Sequence, residues 1–208
     1  MKIKVCGLRN PENIRLIEAL DIDCAGFIFY RKSPRCVSDG EECREAIRRC
    51  TKPKVGVFVN ETPENMLRKA GLYRLDGLQL HGDESPETCN ALRQAGYFIL
   101  KAFPVASAGE FPETRNYAGC TDYVLFDTKC AACGGSGLRF DWSLLERYTG
   151  RTPFFLSGGL APDSIHDIRS LQHVRFAGID LNSGFEQSPA VKDVRKLERF
   201  IREIRLII

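Results

Sequence analysis

Eight short runs of apolar and β-branched residues recur along this chain of 208 residues, and helix-like segments separate them. The runs lie at Ile3–Cys6, Ala25–Phe29, Lys54–Val59, Gly77–Leu80, Phe98–Phe103, Tyr123–Phe126, Phe154–Leu156 and Ala177–Leu181. Helical patterns cover Pro11–Leu20, Gly40–Cys50, Pro63–Gly71, Pro86–Gly96, Asp141–Tyr148, Pro162–Arg169 and Pro189–Leu206, with a weaker one at Ser107–Tyr117. Several of these helices begin at a proline that follows Asn, Thr or Ser, which suits the first helical turn. Strands that alternate with helices form parallel sheets, so the repeat predicts an α/β fold.

The number of repeats favours one architecture within that class. Eight units of about 26 residues are near the minimum length of a βα repeat and favour a closed (β/α)8 barrel, the TIM barrel. A doubly wound open sheet is the main alternative. Since no linker, low-complexity tract or break in composition divides the chain, residues 1–208 are expected to form a single domain.

Composition argues against several classes of function. The formal net charge is only +3, with Lys and Arg mixed among Asp and Glu, so we expect no nucleic-acid partner. The first residues read directly as a strand and no apolar run is long enough to cross a bilayer, so we expect a cytoplasmic protein without membrane contact. Nine cysteines, an odd number, indicate reduced thiols. Cys130 and Cys133 form a lone CxxC, so we expect neither a metal nor a redox centre.

Polar residues interrupt strands that should be apolar if helices cover the sheet. They are Lys4, Cys6, Gln79, His81, Lys101, Asp127 and Asp180. By period-two alternation Lys4 shares a face with Cys6, and Gln79 shares one with His81. In a barrel we expect Cys6, His81 and Asp127 at the rim where active sites form, and Lys4, Gln79 and Lys101 in a deeper polar layer. Each residue alone has an ordinary explanation, such as packing or a helix cap, but their meeting at one rim favours a site.

Glycine-rich segments follow the last three predicted strands. They are GGSG (Gly134–Gly137), SGGL (Ser157–Leu160) and NSG (Asn182–Gly184). Glycines let backbone N–H groups approach an anion, and the loops after strands 7 and 8 of barrels commonly hold a phosphate. Two such loops on consecutive strands, with a third before them, predict a phosphate grip and hence a phosphorylated small-molecule substrate.

Short motifs in a defined order identify a resemblance that covers nearly the whole chain. KVCG lies at the first strand, SPR after the second, VGVFVN at the third and QLHG at the fourth. LFDT with GGSG and FDW, then LSGGLAPD, then GIDLNSGFE follow at the sixth, seventh and eighth. The set resembles the phosphoribosylanthranilate isomerases. The resemblance implies a barrel that converts N-(5-phosphoribosyl)anthranilate to 1-(o-carboxyphenylamino)-1-deoxyribulose 5-phosphate in tryptophan biosynthesis, an Amadori rearrangement without a cofactor.

The resemblance also implies roles for individual residues. Cys6 in KVCG matches the family's general base, Asp127 in LFDT its general acid, and Arg35 in SPR the arginine that holds the anthranilate carboxylate. An acid that protonates the furanose oxygen must itself be protonated near neutral pH, which burial favours. A thiolate that removes the C2 proton needs a pKa lowered by nearby cations or helix ends. The expected substrate-binding residues are Arg35, His81, Gly135, Gly137, Gly158, Gly159, Asp180, Ser183 and Gly184.

Two departures from the family pattern stand out. Ala190, within SPAVKD, lies where that family usually has glycine, which could tighten the start of the last helix. The KCAAC insertion before GGSG is also unusual and could change how a loop covers the substrate. Neither departure changes the expected acid and base.

Other functions stay open as alternatives. A ribulose-phosphate epimerase needs metal-binding His and Asp on its strands, and the chain has only three histidines. A relative of indole-glycerol-phosphate synthase uses strand-end lysines, a reading that Lys4 and Lys101 keep open. A non-catalytic barrel would lack part of the acid–base pair or of the glycine loops. The sequence is consistent with a monomer or a homodimer, and with side activity on the related histidine-pathway aminoaldose.

Overall fold

Eight parallel strands close into a barrel in the order of the chain in the computed structural model, which describes residues 1–106, 111–128 and 140–207. The strands are β1 (Lys2–Val5), β2 (Cys24–Ile28), β3 (Lys54–Phe58), β4 (Gly77–Leu80), β5 (Phe98–Val105), β6 (Tyr123–Thr128), β7 (Phe154–Leu156) and β8 (Phe176–Leu181). Pairing of β1 with β8 completes the ring, with Lys4 opposite Asp180. The predicted (β/α)8 barrel is therefore confirmed, and the closed ring of strands excludes the alternative of a doubly wound open sheet.

Six α-helices accompany the strands in the described part of the chain. They are α1 (Pro11–Glu18), α2 (Glu41–Arg49), α3 (Pro63–Tyr73), α4 (Pro86–Gln94), α5 (Ile165–Ser170) and α6 (Val194–Ile207). Asn10, Thr62 and Ser85 cap α1, α3 and α4, each accepting the backbone N–H three residues later at 2.9–3.3 Å. A proline follows each cap, as the sequence predicts. None of the helices in the described ranges is both long and apolar enough to cross a bilayer.

Two crossovers differ from the predicted helices. After β6 the predicted helix Asp141–Tyr148 is a 3-10 helix, Trp142–Arg147, and Asp141 caps it by accepting the N–H of Ser143 at 3.0 Å. After β5 only a 3-10 turn, Arg115–Tyr117, occupies the described part of the weakly predicted segment Ser107–Tyr117. The predicted helix near Pro162 begins as a 3-10 turn, Pro162–Ser164, that leads into α5.

The predicted helix Pro189–Leu206 begins later than expected, and a hairpin takes the place of its first turn. Strands β9 (Glu186–Ser188) and β10 (Val191–Lys192) pair antiparallel, and α6 starts at Val194. Ala190 lies in the hairpin turn with φ +68°, and its N–H donates to Glu186 Oε1 at 3.1 Å. The Asn13 side chain bonds both the N–H and the C=O of Lys192, at 2.8 and 3.0 Å. Glu186 and Asn13 thus bind backbone groups of Ala190 and Lys192 that a helix would use for its own hydrogen bonds. The helix start that Ser188-Pro189 predicts therefore does not form there.

The interior of the molecule has two apolar layers. The larger lies between the barrel and its helices and contains the outward residues of the strands, among them Ile3, Val5 and Phe126. A small cluster of Leu100, Ala102, Leu125 and Phe155 fills the lumen on the side of β5, β6 and β7. Elsewhere in the lumen, β1, β4 and β8 contribute the buried polar residues Lys4, Gln79 and Asp180, which lie below the rim.

Candidate active site

The end of β1 is held against the ends of β2 and β8. The Cys6 N–H donates to the carbonyl of Leu181 at 2.9 Å. Gly7 follows with φ +78°, and a Cβ there would come within 2.7 Å of Asn182 Oδ1 and 2.9 Å of Arg35 Cδ. Only glycine allows this backbone to pass so close to both side chains. The turn therefore places Gly7, directly after the buried Cys6, beside Arg35 at the rim.

Buried charges surround the Cys6 thiol. Lys4 Nζ donates to Asp180 Oδ1 at 2.9 Å, and both side chains are almost fully buried. Burial opposes the charge of Lys4, but the facing Asp180 carboxylate prevails and raises the pKa of Lys4 above its ordinary value. Burial raises the pKa of the Cys6 thiol, while Lys4 and Lys192 oppose that rise. Burial thus opposes the lowered thiol pKa that a base needs, and Lys4 and Lys192 are the two cations placed to stabilise the thiolate.

Arg35 is bound along one edge by a carboxylate that the sequence analysis did not single out. Its Nε lies 2.9 and 3.0 Å from the two Glu186 carboxylate oxygens, and its Nη2 lies 2.7 Å from Oε2. Lys192 Nζ donates to Glu186 Oε1 and to Asn182 Oδ1, both at 2.7 Å. Burial acts against the charge of Glu186, but the two cations together lower its pKa.

This contact leaves the other edge of the Arg35 guanidinium facing away from Glu186. A guanidinium has five N–H donors, and the contact with Glu186 uses those of Nε and one of Nη2. The end-on fork of Nη1 and Nη2, which matches a carboxylate, is the edge that remains. Glu186 and Lys192 stand in the GFE and SPAVKD motifs, but nothing in the sequence pairs them with Arg35, 151 residues earlier in the chain than Glu186.

Asp127 is the penultimate residue of β6, and a backbone N–H and an imidazole nitrogen approach its two carboxylate oxygens. Its Oδ1 accepts the N–H of Thr128 at 2.9 Å, and its Oδ2 lies 3.2 Å from His81 Nε2. The other ring nitrogen of His81, Nδ1, lies 2.8 Å from the amide nitrogen of Gln79. The predicted shared face of Gln79 and His81 is therefore observed, and His81 meets Asp127 across the barrel.

Lys101 does not lie in the lumen, contrary to the sequence interpretation. Its strand neighbours Leu100 and Ala102 face the lumen, so alternation directs Lys101 outward. There its Nζ donates to the Gly82 carbonyl at 2.6 Å and lies 3.4 Å from Glu84 Oε2. Glu84 in turn accepts the Gly82 N–H at 2.9 Å. This buried pair holds the segment that follows His81, so Lys101 supports the site from outside the barrel.

The glycine segments after β7 and β8 lie against each other and against Asp127. Gly158 has φ +83°, and a Cβ there would lie 2.7 Å from Asp127 Oδ1. A Cβ on Gly184 would collide with the carbonyl of Leu160. Gly135 and Gly137, like Cys130 and Cys133, lie outside the described residues. The loops after β7 and β8 thus bring glycine backbone to the rim beside Asp127, where the predicted phosphate contact stays a prediction.

Metal chemistry finds no support in the side chains that the structure describes. Within 1–106, 111–128 and 140–207, no three His, Cys, Asp or Glu side chains cluster as metal ligands would. Of the three histidines, His166 lies on α5 and His173 beyond it, so only His81 is near the rim.

Comparison with known proteins identifies relatives along nearly the whole chain. Residues 3–203 match the family model described as N-(5'phosphoribosyl)anthranilate (PRA) isomerase. A protein of that name from Parabacteroides distasonis is 54% identical over 206 residues, covering 98% of this chain and 93% of the relative. The crystal structure of phosphoribosyl anthranilate isomerase from Thermus thermophilus aligns with a TM-score of 0.83 at 30% identity, covering 100% of both chains. A structure of such an isomerase in complex with reduced 1-(o-carboxyphenylamino)-1-deoxyribulose 5-phosphate aligns with a TM-score of 0.76 at 31% identity, covering 99% of this chain and 98% of that one.

Proposed function

This chain belongs to the N-(5'-phosphoribosyl)anthranilate isomerase family, and we propose that Cys6 and Asp127 carry out the rearrangement as general base and general acid. The protein is accordingly an isomerase of tryptophan biosynthesis. The observation that carries the acid–base assignment is the placement of the two groups. Cys6 follows β1 and Asp127 ends β6, strands that are not neighbours in the barrel. A sugar bound at the rim can then meet the acid on one side and the base on the other.

Ring opening is the step assigned to Asp127. The Asp127 carboxylic acid gives its proton to the furanose oxygen as the bond from that oxygen to C1 breaks. The electron pair of the anilino nitrogen forms a C1=N double bond, which yields a protonated Schiff base. The Thr128 N–H donates to Oδ1 and His81 Nε2 lies 3.2 Å from Oδ2, so both groups are placed to stabilise the carboxylate that this step leaves behind.

Removal of the C2 proton is the step assigned to Cys6. The thiolate takes this proton, and the C–H electron pair forms the C1=C2 bond of an enamine while the charge on nitrogen is neutralised. Tautomerisation then places a proton on C1 and gives the ketone at C2. Because burial raises the pKa of Cys6, the thiolate depends on its cationic neighbours Lys4 and Lys192.

Two groups of protein residues are assigned to substrate binding, one for each end of the substrate on either side of its sugar. The end-on edge of Arg35 faces away from Glu186 and suits the anthranilate carboxylate. The glycine segments after β7 and β8, with Gly158, Ser183 and Gly184, suit the 5-phosphate. Carboxylate and phosphate would thus hold the substrate at two ends and leave its C1–C2 region between Cys6 and Asp127.

Steady-state turnover of N-(5-phosphoribosyl)anthranilate by single variants tests the assignment. Cys6→Ala and Asp127→Asn should each fold and lose activity by at least about 100-fold in kcat, the usual size of general acid–base catalysis. The matched control is Cys24→Ala, since Cys24 is a second buried lumen thiol and is paired with Lys4 in the sheet. This variant should keep wild-type kcat within a few-fold. Wild-type turnover in Cys6→Ala or Asp127→Asn would overturn the proposed chemistry.

A further inference from the structure

Three polar side chains form a connected line across the lumen from β4 to β6. Gln79 Nε2 lies 2.8 Å from His81 Nδ1, and His81 Nε2 lies 3.2 Å from Asp127 Oδ2. Strand β5 lies between β4 and β6, and it presents the small side chain of Ala102 to the lumen. The imidazole can therefore span the gap between the two strands.

The partner of Nδ1 determines which His81 nitrogen carries the proton. With the Gln79 amide oriented as in the structure, its Nε2 is a donor, and His81 Nδ1 is the atom that accepts. In a neutral imidazole the single N–H is then on Nε2, the nitrogen that faces Asp127. Gln79 thus selects the tautomer that carries its proton on Nε2, the ring nitrogen 3.2 Å from the Asp127 carboxyl.

The burial of Gln79 indicates that its amide serves this one contact. Its side chain is almost fully buried at the polar centre of the lumen. Its Oε1 is buried and has no hydrogen-bond partner among the residues that the structure describes. Burying an unsatisfied amide oxygen costs stability, and an apolar side chain of similar size would avoid that cost. The contact with His81 is the interaction that offsets it.

We propose that His81 is a positioning residue that acts through Asp127, and that Gln79 holds it in the donating tautomer. The proposal rests on the proposed function, in which Asp127 is the acid. His81 Nε2 lies 3.2 Å from Asp127 Oδ2, close enough to form a charge-assisted hydrogen bond once Asp127 is a carboxylate, and such a bond is about twice as strong as a neutral one. The contact from His81 therefore strengthens as Asp127 loses its proton during ring opening, so it lowers the barrier rather than binding the substrate.

A pair of His81 variants separates this role from substrate binding. His81→Leu removes the donor and should lower kcat about 10- to 100-fold, the range for a hydrogen bond to a charged group, with KM unchanged. His81→Gln can place an amide N–H near the position of Nε2 and should recover most of the lost kcat. His166→Leu, the same change at an exposed position on α5, should have no effect and serves as the control.

The outcomes distinguish failure of this proposal from failure of the proposed function. Wild-type kcat in His81→Leu, or a rise confined to KM, would overturn the positioning role while Asp127→Asn remains inactive. Wild-type kcat in Asp127→Asn would overturn both. Nitrogen-15 NMR of the imidazoles gives an independent test, because only three histidines need assignment. His81 should show the Nε2–H tautomer in wild type, and the Nδ1–H tautomer would contradict the role given to Gln79.

Discussion

Arg35 and Glu186 meet side-on at the rim of the barrel, with guanidinium–carboxylate distances of 2.7–3.0 Å between two buried side chains. The contact joins the segment after β2 to the hairpin after β8, and it fixes the plane of the guanidinium. Because the end-on edge of Arg35 points away from Glu186, the orientation of this edge depends on a residue that does not itself face the substrate.

Glu186→Gln should therefore weaken substrate binding. An amide cannot accept both guanidinium donors, so Arg35 loses its defined orientation. We expect KM for phosphoribosylanthranilate to rise about 10-fold, on the order of one charged hydrogen bond, with a smaller change in kcat. The matched comparison is an N-phosphoribosyl aniline that lacks the carboxylate. If Glu186→Gln weakens binding of both compounds equally, Arg35 does not recognise the carboxylate.

The Cys6 thiol should titrate above the ordinary cysteine value of about 8.5. Burial raises its pKa in the ligand-free protein, so the thiolate fraction at neutral pH is small and grows as pH rises. The thiolate absorbance of wild type minus that of Cys6→Ser, followed against pH, measures this midpoint. For the same reason the rate of C2-proton removal should increase with pH, whereas ring opening, which needs protonated Asp127, should slow. A midpoint below the ordinary value would mean that the cations outweigh burial.

The buried ion pair of Lys4 and Asp180 should show strong coupling in stability. Removing one partner leaves the other charge buried without compensation, so Lys4→Met should cost about 3–5 kcal/mol of unfolding free energy. Adding Asp180→Asn to Lys4→Met should recover part of that loss in urea unfolding. Arg199→Met, at an exposed pair with Glu203, is the control and should leave the free energy of unfolding almost unchanged. Purely additive losses in the double variant would refute the coupling.

Ala190→Gly should stabilise the protein. Ala190 adopts φ +68°, which costs a residue with a Cβ about 1–2 kcal/mol, and the gain exceeds the extra backbone entropy of glycine. We expect a net gain of about 0.5–1 kcal/mol in denaturant unfolding. Ala118→Gly, at an exposed alanine with φ −63°, should instead reduce stability slightly. Equal losses in the two variants would show that the turn carries no strain.

Much of the site follows from strand alternation alone. Alternation along β1 and β4 placed Cys6 with Lys4 and His81 with Gln79, and the structure agrees. The same rule, applied to β5, puts Lys101 on the face opposite Leu100 and Ala102. Lys101 is expected in the lumen from the sequence only because it is a polar residue within a strand, and this interpretation is wrong. The buried lysine on the outer face is paired with Glu84 from the loop after β4, a partner that strand periodicity does not reveal.

The features that sequence reasoning missed depend on contacts between distant segments. Ser188-Pro189 has the local signature of a helix start, but the Asn13 side chain binds the Lys192 backbone from 179 residues away. The hairpin that results is what brings Glu186 and Lys192 together. Propensity therefore describes each segment correctly only where no remote side chain competes for its backbone.

The central claim is that Cys6 is the general base and Asp127 the general acid, and a hydrogen isotope measurement tests it most directly. Single turnovers are compared for substrate with hydrogen or deuterium at C2 of the ribose, in Cys6→Ser and in Asp127→Asn. A serine hydroxyl is a far weaker base than a thiolate, so loss of the C2 hydrogen should limit Cys6→Ser and deuterium should slow it. Asp127→Asn should be limited by ring opening and respond little to deuterium. A large isotope effect in Asp127→Asn with none in Cys6→Ser would contradict the assignment.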